Sequence, residues 1–149
     1  MYSEKVVEHF DCPQNVGSMP DADGVGTVED LNNGGALTIY VKVQFRIITE
    51  ISFLAVGCTA SVAATGSVIN VLAKGKSIDE AMKISVQDVI NSLKGLPEDK
   101  QYCSNLGVAV LRKAIGNYSE KRGIYSSQID HNITSKPSLK VRAHRQKIV

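Results

Sequence analysis

The sequence predicts an α+β domain: a small three-stranded antiparallel sheet with helices packed on one face. Three observations carry that prediction. Residues 36–45 alternate strictly, with Leu37, Ile39, Val41, Val43 and Phe45 set against Thr38, Tyr40, Lys42, Gln44 and Arg46, the period of a half-buried strand with one wet face. After Gly57 the period becomes helical, with Ala60, Ala63, Ala64, Val68, Val71 and Leu72 at helix spacings. Strand-like runs come first and helical ones later, the order of an α+β chain.

Taken in order, the first element is a short helix whose Val6, Val7 and Phe10 share one face; Ser3 is followed three residues on by Val6, which makes no capping box, and Cys12-Pro13 ends the helix. Residues 14–26 are rich in Gly, Pro, Asp and Asn, which favours turns and a mobile lead-in lying over another part of the fold. Strands are expected over 26–31, 36–45 and 47–56. Asn32-Asn33-Gly34-Gly35 reads as the turn between the first two, and the very short connection between the second and third makes an antiparallel meander the economical arrangement. The small residues of the helix after Gly57 let it approach the sheet closely, and Gly75 ends it. Ser77-Ile-Asp-Glu80 is a capping box for a helix continuing through Ala81, Met82 and Ile84. A further short helix over 86–93 stops at Gly95-Leu-Pro97, and the last begins near Cys103-Ser104 and runs to about Tyr118, burying Leu106, Val110, Leu111, Ala114 and Ile115.

A chain of 149 residues has the size of one domain and hides about 68–70% of its unfolded surface, so it needs no disulfide to fold. Hydrophobic residues at 43% and charged ones at 21% exclude a wholly disordered or collagen-like chain. Aromatics at 5%, with no Trp, leave little material for a stacking platform, and no nucleic-acid partner is expected. The net charge of +2 is uneven: residues 1–135 hold twelve basic and fifteen acidic side chains, while Lys136, Lys140, Arg142, Arg145 and Lys147 follow. The organisation expected is a folded domain over 1–121 and a basic C-terminal extension over 122–149. The opening residues carry charge where a secretory signal has its apolar core, so the cytoplasm is the expected compartment. Residues 51–73 form a charge-free run of 23, long enough for a bilayer, but Ser52, Thr59, Ser61, Thr65, Ser67 and Asn70 interrupt it. A strand followed by a packed helix explains those letters better, and no membrane is expected.

Cys12, Cys58 and Cys103 are widely spaced, which suits thiols or metal ligands better than a disulfide frame. Cys58 falls where the third strand hands over to the first core helix and Cys103 just before the last helix. At a helix N-terminus the free N–H groups and the helix dipole stabilise a thiolate, and Lys100 adds a positive neighbour to Cys103. The plain alternative for either is a small buried hydrophobe. His9 is expected to pack at the surface without a ligand role, and His131 and His144 belong to no constellation. Gly34-Gly35 lacks the residues of a phosphate loop, and the pairs Asp79-Glu80 and Glu98-Asp99 read as caps and loop charges.

Four stretches run in order through residues 2–121: Tyr2-Ser-Glu-Lys-Val-Val-Glu-His-Phe10 with Pro13-Gln-Asn-Val-Gly17, Val56-Gly-Cys-Thr-Ala-Ser61, Lys74-Gly-Lys-Ser-Ile-Asp-Glu-Ala81, and Leu96-Pro-Glu-Asp-Lys-Gln-Tyr-Cys-Ser104. Together they resemble the U-type iron–sulfur cluster assembly scaffolds, the NifU N-terminal domain and IscU. The resemblance implies a protein that is not an enzyme: it receives persulfide sulfur from a cysteine desulfurase, binds iron, builds a 2Fe–2S cluster and passes it on. It also implies that an Hsp70-type chaperone grips the element containing Leu96, Pro97 and Lys100, and that Cys58 and Cys103 match the second and third cysteines of the family's site. The departures are specific. Asn33 and Gly35 stand where the family has Cys and Asp, Tyr102 stands where it has His, and Cys12 is extra.

Iron–sulfur clusters are normally held by four thiolates, with His an occasional substitute, and tetrahedral zinc, the other metal considered, also takes three or four N/S ligands. Cys58 and Cys103 supply two, Asn33 offers a poor amide oxygen for a soft site, and Gly35 offers nothing. Holding a cluster then requires Cys12 to swing in, or a homodimer in which each chain gives Cys58 and Cys103. Sulfur acceptance asks only for one accessible thiolate, and Cys103 is the candidate, with Cys58 sharing the sulfur or an iron. The leading expectation is a divergent scaffold or sulfur carrier. The alternative is a binding module that docks on a desulfurase or chaperone without metal. A Cys103-dependent enzyme is least supported, because no His or Asp base stands near it in sequence.

Overall fold

The strand-then-helix order folds as expected in the computed structural model, which describes residues 2–30, 34–57 and 59–121. Its elements are α1 (Glu4–Asp11), β1 (Gly24–Asp30), β2 (Gly35–Gln44), β3 (Ile47–Val56), α2 (Ala60–Ala73), α3 (Ile78–Met82), α4 (Val86–Ser92), a 3-10 turn (Glu98–Lys100) and α5 (Tyr102–Lys121). The strands make one antiparallel sheet in the order β1-β2-β3. The basic extension over 122–149 lies outside the described residues. The charge-free run divides into β3 and α2, and among the described residues no helix is long and apolar enough to cross a membrane.

Burial of the odd-numbered face of β2 organises the core: Leu37, Ile39 and Val41 are buried with Phe53 of β3, Val62 and Ile69 of α2, and Val110 and Leu111 of α5. The small residues of α2 do bring it close to the sheet, since a Cβ at Gly66 would stand 2.7 Å from Phe53 Cδ2. Helix α5 lies against β1 closely enough for backbones to touch. A Cβ on Gly26 would sit 2.5 Å from the Ala114 nitrogen, and one on Gly24 would sit 2.4 Å from the Ala114 oxygen. Asn117 of α5 also accepts the Val25 N–H at 3.0 Å.

The other face of β2 is wet only toward its end, where Lys42 is half-buried and Gln44 exposed; before that the alternation fails. Thr38 and Tyr40 are buried. As the central strand, β2 places Tyr40 between Val25 and Ser52, and the Thr38 hydroxyl pairs with that of Thr27 at 2.8 Å. The lead-in also crosses this face. It leaves the edge of β3 at Gly17, whose N–H donates to the Phe53 carbonyl at 2.8 Å, and reaches the opposite side at Asp23, whose N–H donates to the Val41 carbonyl at 2.8 Å. Between them Asp21 pairs at 2.8 Å with Lys42, which shares a strand face with Tyr40. Burial raises the Tyr40 hydroxyl above its ordinary pKa of 10.0.

Nor is the lead-in the mobile segment that its composition favours. Asn70 donates to the carbonyls of Gln14 at 2.7 Å and Asn15 at 3.2 Å, the Gln14 N–H donates to Ser67 Oγ at 2.8 Å, and the Phe53 N–H donates to the Asn15 carbonyl at 3.1 Å. Val16 forms a parallel bridge with Phe53. Polar residues inside an apolar helix thus tie down a polar loop. Helix α1 ends at Cys12 as expected, and Ser3 caps its start by accepting the Val6 N–H at 3.2 Å, but only Val6 of its apolar trio is buried, with Val7 46% and Phe10 49% exposed. It leans on α2 through the line of Val6 and His9, leaving the other two outside.

Local signals hold for the short helices. Ser77 and Glu80 form the anticipated capping box, although α3 ends at Met82 with Ile84 beyond it. A second box, Ser85 with Asp88, opens α4; Asp rather than Glu or Gln at its third position hid it from the sequence pattern. On α5, Leu106 is half-buried rather than buried. Phe45 leaves the buried set altogether: it occupies the β2–β3 turn with φ +55 beside Arg46 at φ +64, and is 91% exposed.

Candidate functional site

Pairing of Ala36 with Val56 brings the start of β2 and the end of β3 side by side. Gly57, at φ +67, then turns the chain toward α2. Because α2 packs on both β3 and α5, the first turns of the two helices meet at this same end. Cys103, in the first turn of α5, is fully buried there, with Sγ 3.5 Å from Ser61 Oγ in the first turn of α2.

Ser61 is the centre of a small polar cluster. Its hydroxyl oxygen lies 3.3 Å from Thr59 Oγ1 and 3.4 Å from the Tyr2 hydroxyl. Thr59 holds the N-cap position of α2, yet its side chain makes no capping hydrogen bond and turns to Ser61 instead. One hydroxyl donates once and accepts twice, so Cys103, Thr59 and Tyr2 together match the capacity of Ser61. The sequence reading missed all three hydroxyls, because nothing in the pattern separates Ser61 from the other serines and threonines of the run.

The expected site residues divide. Cys58 and Asn33 lie outside the described residues. Cys103 is at a helix N-terminus as expected, but inside the first turn and enclosed, not accessible. Gly35 is buried, and a Cβ there would lie 2.4 Å from the Gly57 oxygen and 2.6 Å from the Val56 oxygen. The place of the missing carboxylate is therefore closed by backbone. Tyr102 is half-buried and packs against the core. In the expected chaperone element Leu96 is buried, while Pro97 and Lys100, which bound the 3-10 turn, are half-buried.

Cys12 stands apart from this end. With Tyr2 against Ser61 and His9 against Ser67, α1 runs in the same sense as α2, and Cys12 follows its last residue in an exposed position. At about 1.5 Å of rise per residue that puts it more than about 10 Å from Cys103. The swing of Cys12 into the site is therefore opposed by the packing of α1. His9 has its Nδ1 2.7 Å from Ser67 Oγ, and its pKa is lowered from 6.5 by burial, with Glu8 raising it and Lys5 lowering it to lesser degrees. Among the described residues no three His, Cys, Asp or Glu side chains are placed to hold a metal ion. The described residues thus bring one thiol to this end, too few for a cluster or a tetrahedral zinc.

Residues 1–124 match the family model described as the NifU-like N terminal domain. The chain belongs to that family. An iron–sulfur cluster assembly scaffold protein IscU of Archaeoglobus fulgidus is 49% identical to this NifU-like chain over 123 residues, covering 83% of it and 80% of the relative. An IscU of Aquifex aeolicus bearing the same description is 37% identical over 124 residues, covering 82% and 78%. The crystal structure of the N-terminal part of a nitrogen-fixing NifU-like protein from Brucella abortus superposes with a TM-score of 0.62 at 19% identity, covering 80% of this chain and 94% of that one. That likeness supports the same three-stranded NifU-like fold.

Proposed function

We propose that this NifU-like chain is an iron–sulfur cluster assembly scaffold or sulfur carrier that accepts sulfur at Cys103. The observation that carries the reading is its membership of the family, with relatives described as cluster assembly scaffolds matching most of their own length. Cys103 at the start of a 20-residue helix supports its part. The donor is a persulfide on a cysteine desulfurase. The Cys103 sulfur attacks the terminal sulfur of that persulfide; the donor's S–S bond breaks as the new one forms, the donor leaves as a thiol carrying the proton, and Cys103 becomes the persulfide. Sulfur is accepted stoichiometrically, so the chain acts as a carrier and not as an enzyme. Iron or a 2Fe–2S cluster is its cargo, held by Cys58 and Cys103 with ligands from a second copy or a partner. For an Hsp70-type chaperone to grip Leu96, Pro97 and Lys100, Leu96 must leave the core in which it is buried.

One observation favours a second reading. Closure of the Gly35 position by the Gly57 backbone suits a chain that docks on a desulfurase or chaperone and holds no metal. Anaerobic native mass spectrometry after exposure to a cysteine desulfurase, cysteine and ferrous iron separates the two. The carrier reading expects added sulfur that disappears in Cys103→Ser, and iron on a dimer. Sulfur uptake that survives Cys103→Ser removes the assigned role, and an unchanged mass beside a fully bound desulfurase establishes the docking reading.

A further inference from the structure

A sulfur acceptor must meet its donor, yet Cys103 is fully buried. The residues around its sulfur suggest how both facts hold. Ser61 accepts from the thiol at 3.5 Å, and Tyr2, from the segment ahead of α1, reaches the same oxygen at 3.4 Å. Hydroxyl contacts of 3.3–3.4 Å are longer than the usual 2.5–3.0 Å and correspondingly weak. Tyr2 is half-buried, and Ser3 beside it donates its hydroxyl to the Leu93 carbonyl. Tyr2 packs partly buried against the core but holds Ser61 by that long contact alone, so leaving Ser61 opens neither α2 nor α5.

We propose that Ser61 is a positioning residue for Cys103 and that Tyr2, anchored on Ser61, is its removable cover: Cys103 reacts when Tyr2 leaves Ser61. Ser61 fixes the direction of the thiol while the cover is on. The diverted Thr59 hydroxyl supports the assignment, since a residue at an N-cap gives up its capping bond, ordinarily worth about 1 kcal/mol, to complete the contacts of Ser61. The inference deepens the reading of Cys103 as sulfur acceptor and rests on it, but the closure itself is measurable without any sulfur donor.

The test uses the full chain carrying Cys12→Ser and Cys58→Ser, so that Cys103 is the remaining thiol. Iodoacetamide labelling is followed by mass spectrometry, and the S–H stretching band by Raman spectroscopy. Tyr2→Phe removes one oxygen and keeps the ring; it is expected to speed labelling about threefold to tenfold, the change that loss of one net hydrogen bond brings. It should leave the S–H band nearly in place. Ser61→Ala is expected to speed labelling at least as much and to shift the band to higher frequency, because the thiol loses its acceptor. Ser61→Thr, which keeps a hydroxyl, should restore the original band. Unchanged labelling in Tyr2→Phe overturns the cover, and an unchanged band in folded Ser61→Ala overturns the positioning role. Should Ser61→Ala fail to fold, failure of Ser61→Thr to keep the original band overturns that role instead. Faster labelling in a Tyr2→Phe variant that accepts no persulfide would leave the cover standing and remove Cys103 as acceptor.

Discussion

The two ends of the β2–β3 hairpin solve opposite problems. At the turn, Phe45 and Arg46 both take left-handed backbone, where Asn-Gly is the usual pair and other L-residues are strained by about 1–2 kcal/mol each. Bonds from outside the hairpin hold that end in place: Ile48 N–H to the Lys76 carbonyl at 2.9 Å, Gly75 N–H to the Ile48 carbonyl at 2.8 Å, and Ile78 N–H to the Arg46 carbonyl at 2.9 Å. Arg46 also reaches Asp79 at 3.1 Å. At the other end, Gly35 and Gly57 meet backbone to backbone with no side chain between them. Poor local chemistry is tolerated where tertiary bonds are plentiful. Where side chains are absent, the close approach itself sets the shape.

The largest effect should come from forcing a side chain into the close end. Gly35→Asp puts a Cβ against rigid carbonyls, and a destabilisation of about 3 kcal/mol is expected in urea unfolding. A variant as stable as the parent would mean that the Gly57 backbone yields easily and that the position is open to a ligand. At the turn the sign reverses. Phe45→Asn with Arg46→Gly should stabilise the fold by about 1–2 kcal/mol, with the exposed Arg46–Asp79 pair a small loss. Loss of stability on making that change would place the value of the turn in Phe45 itself.

The smallest effect separates neither end but the helix that runs between them. Burial holds the His9 pKa below its ordinary 6.5, so the folded state prefers neutral imidazole. The resulting stability is present in full above pH 6.5 and is lost as pH falls below that value through the folded-state pKa. Melting temperatures measured between pH 8 and about pH 5 should fall more in the parent than in His9→Gln; parallel curves would remove His9 as the cause.

Much of this was legible in the letters, and for physical reasons. Alternation, helical spacing and the Ser77–Glu80 box report on local structure, and the elements they announced formed within a residue or two for most boundaries. Failures came where a residue's surroundings were supplied by distant chain. Tyr40 and Thr38 look wet until the lead-in crosses them, and Val7 and Phe10 look buried until α1 is seen leaning on α2 through Val6. The lead-in looks loose because Gly, Asn and Asp favour turns, while its fastening lies in Ser67 and Asn70, some fifty residues away. At the candidate site the cysteine at a helix start was readable. Its burial beside Ser61 was not, because a hydroxyl carries no period.

The strap formed by Asn15 to Gly17 has a consequence for how these molecules behave in a crowded solution. An open strand edge is a template on which another chain can add, the first step of sheet aggregation. Along β3 the Phe53 amide and carbonyl are both occupied by the strap, and along β1 the Val25 amide is taken by Asn117. A three-stranded sheet with its outer hydrogen bonds partly spent in this way resists lengthening into a fibre.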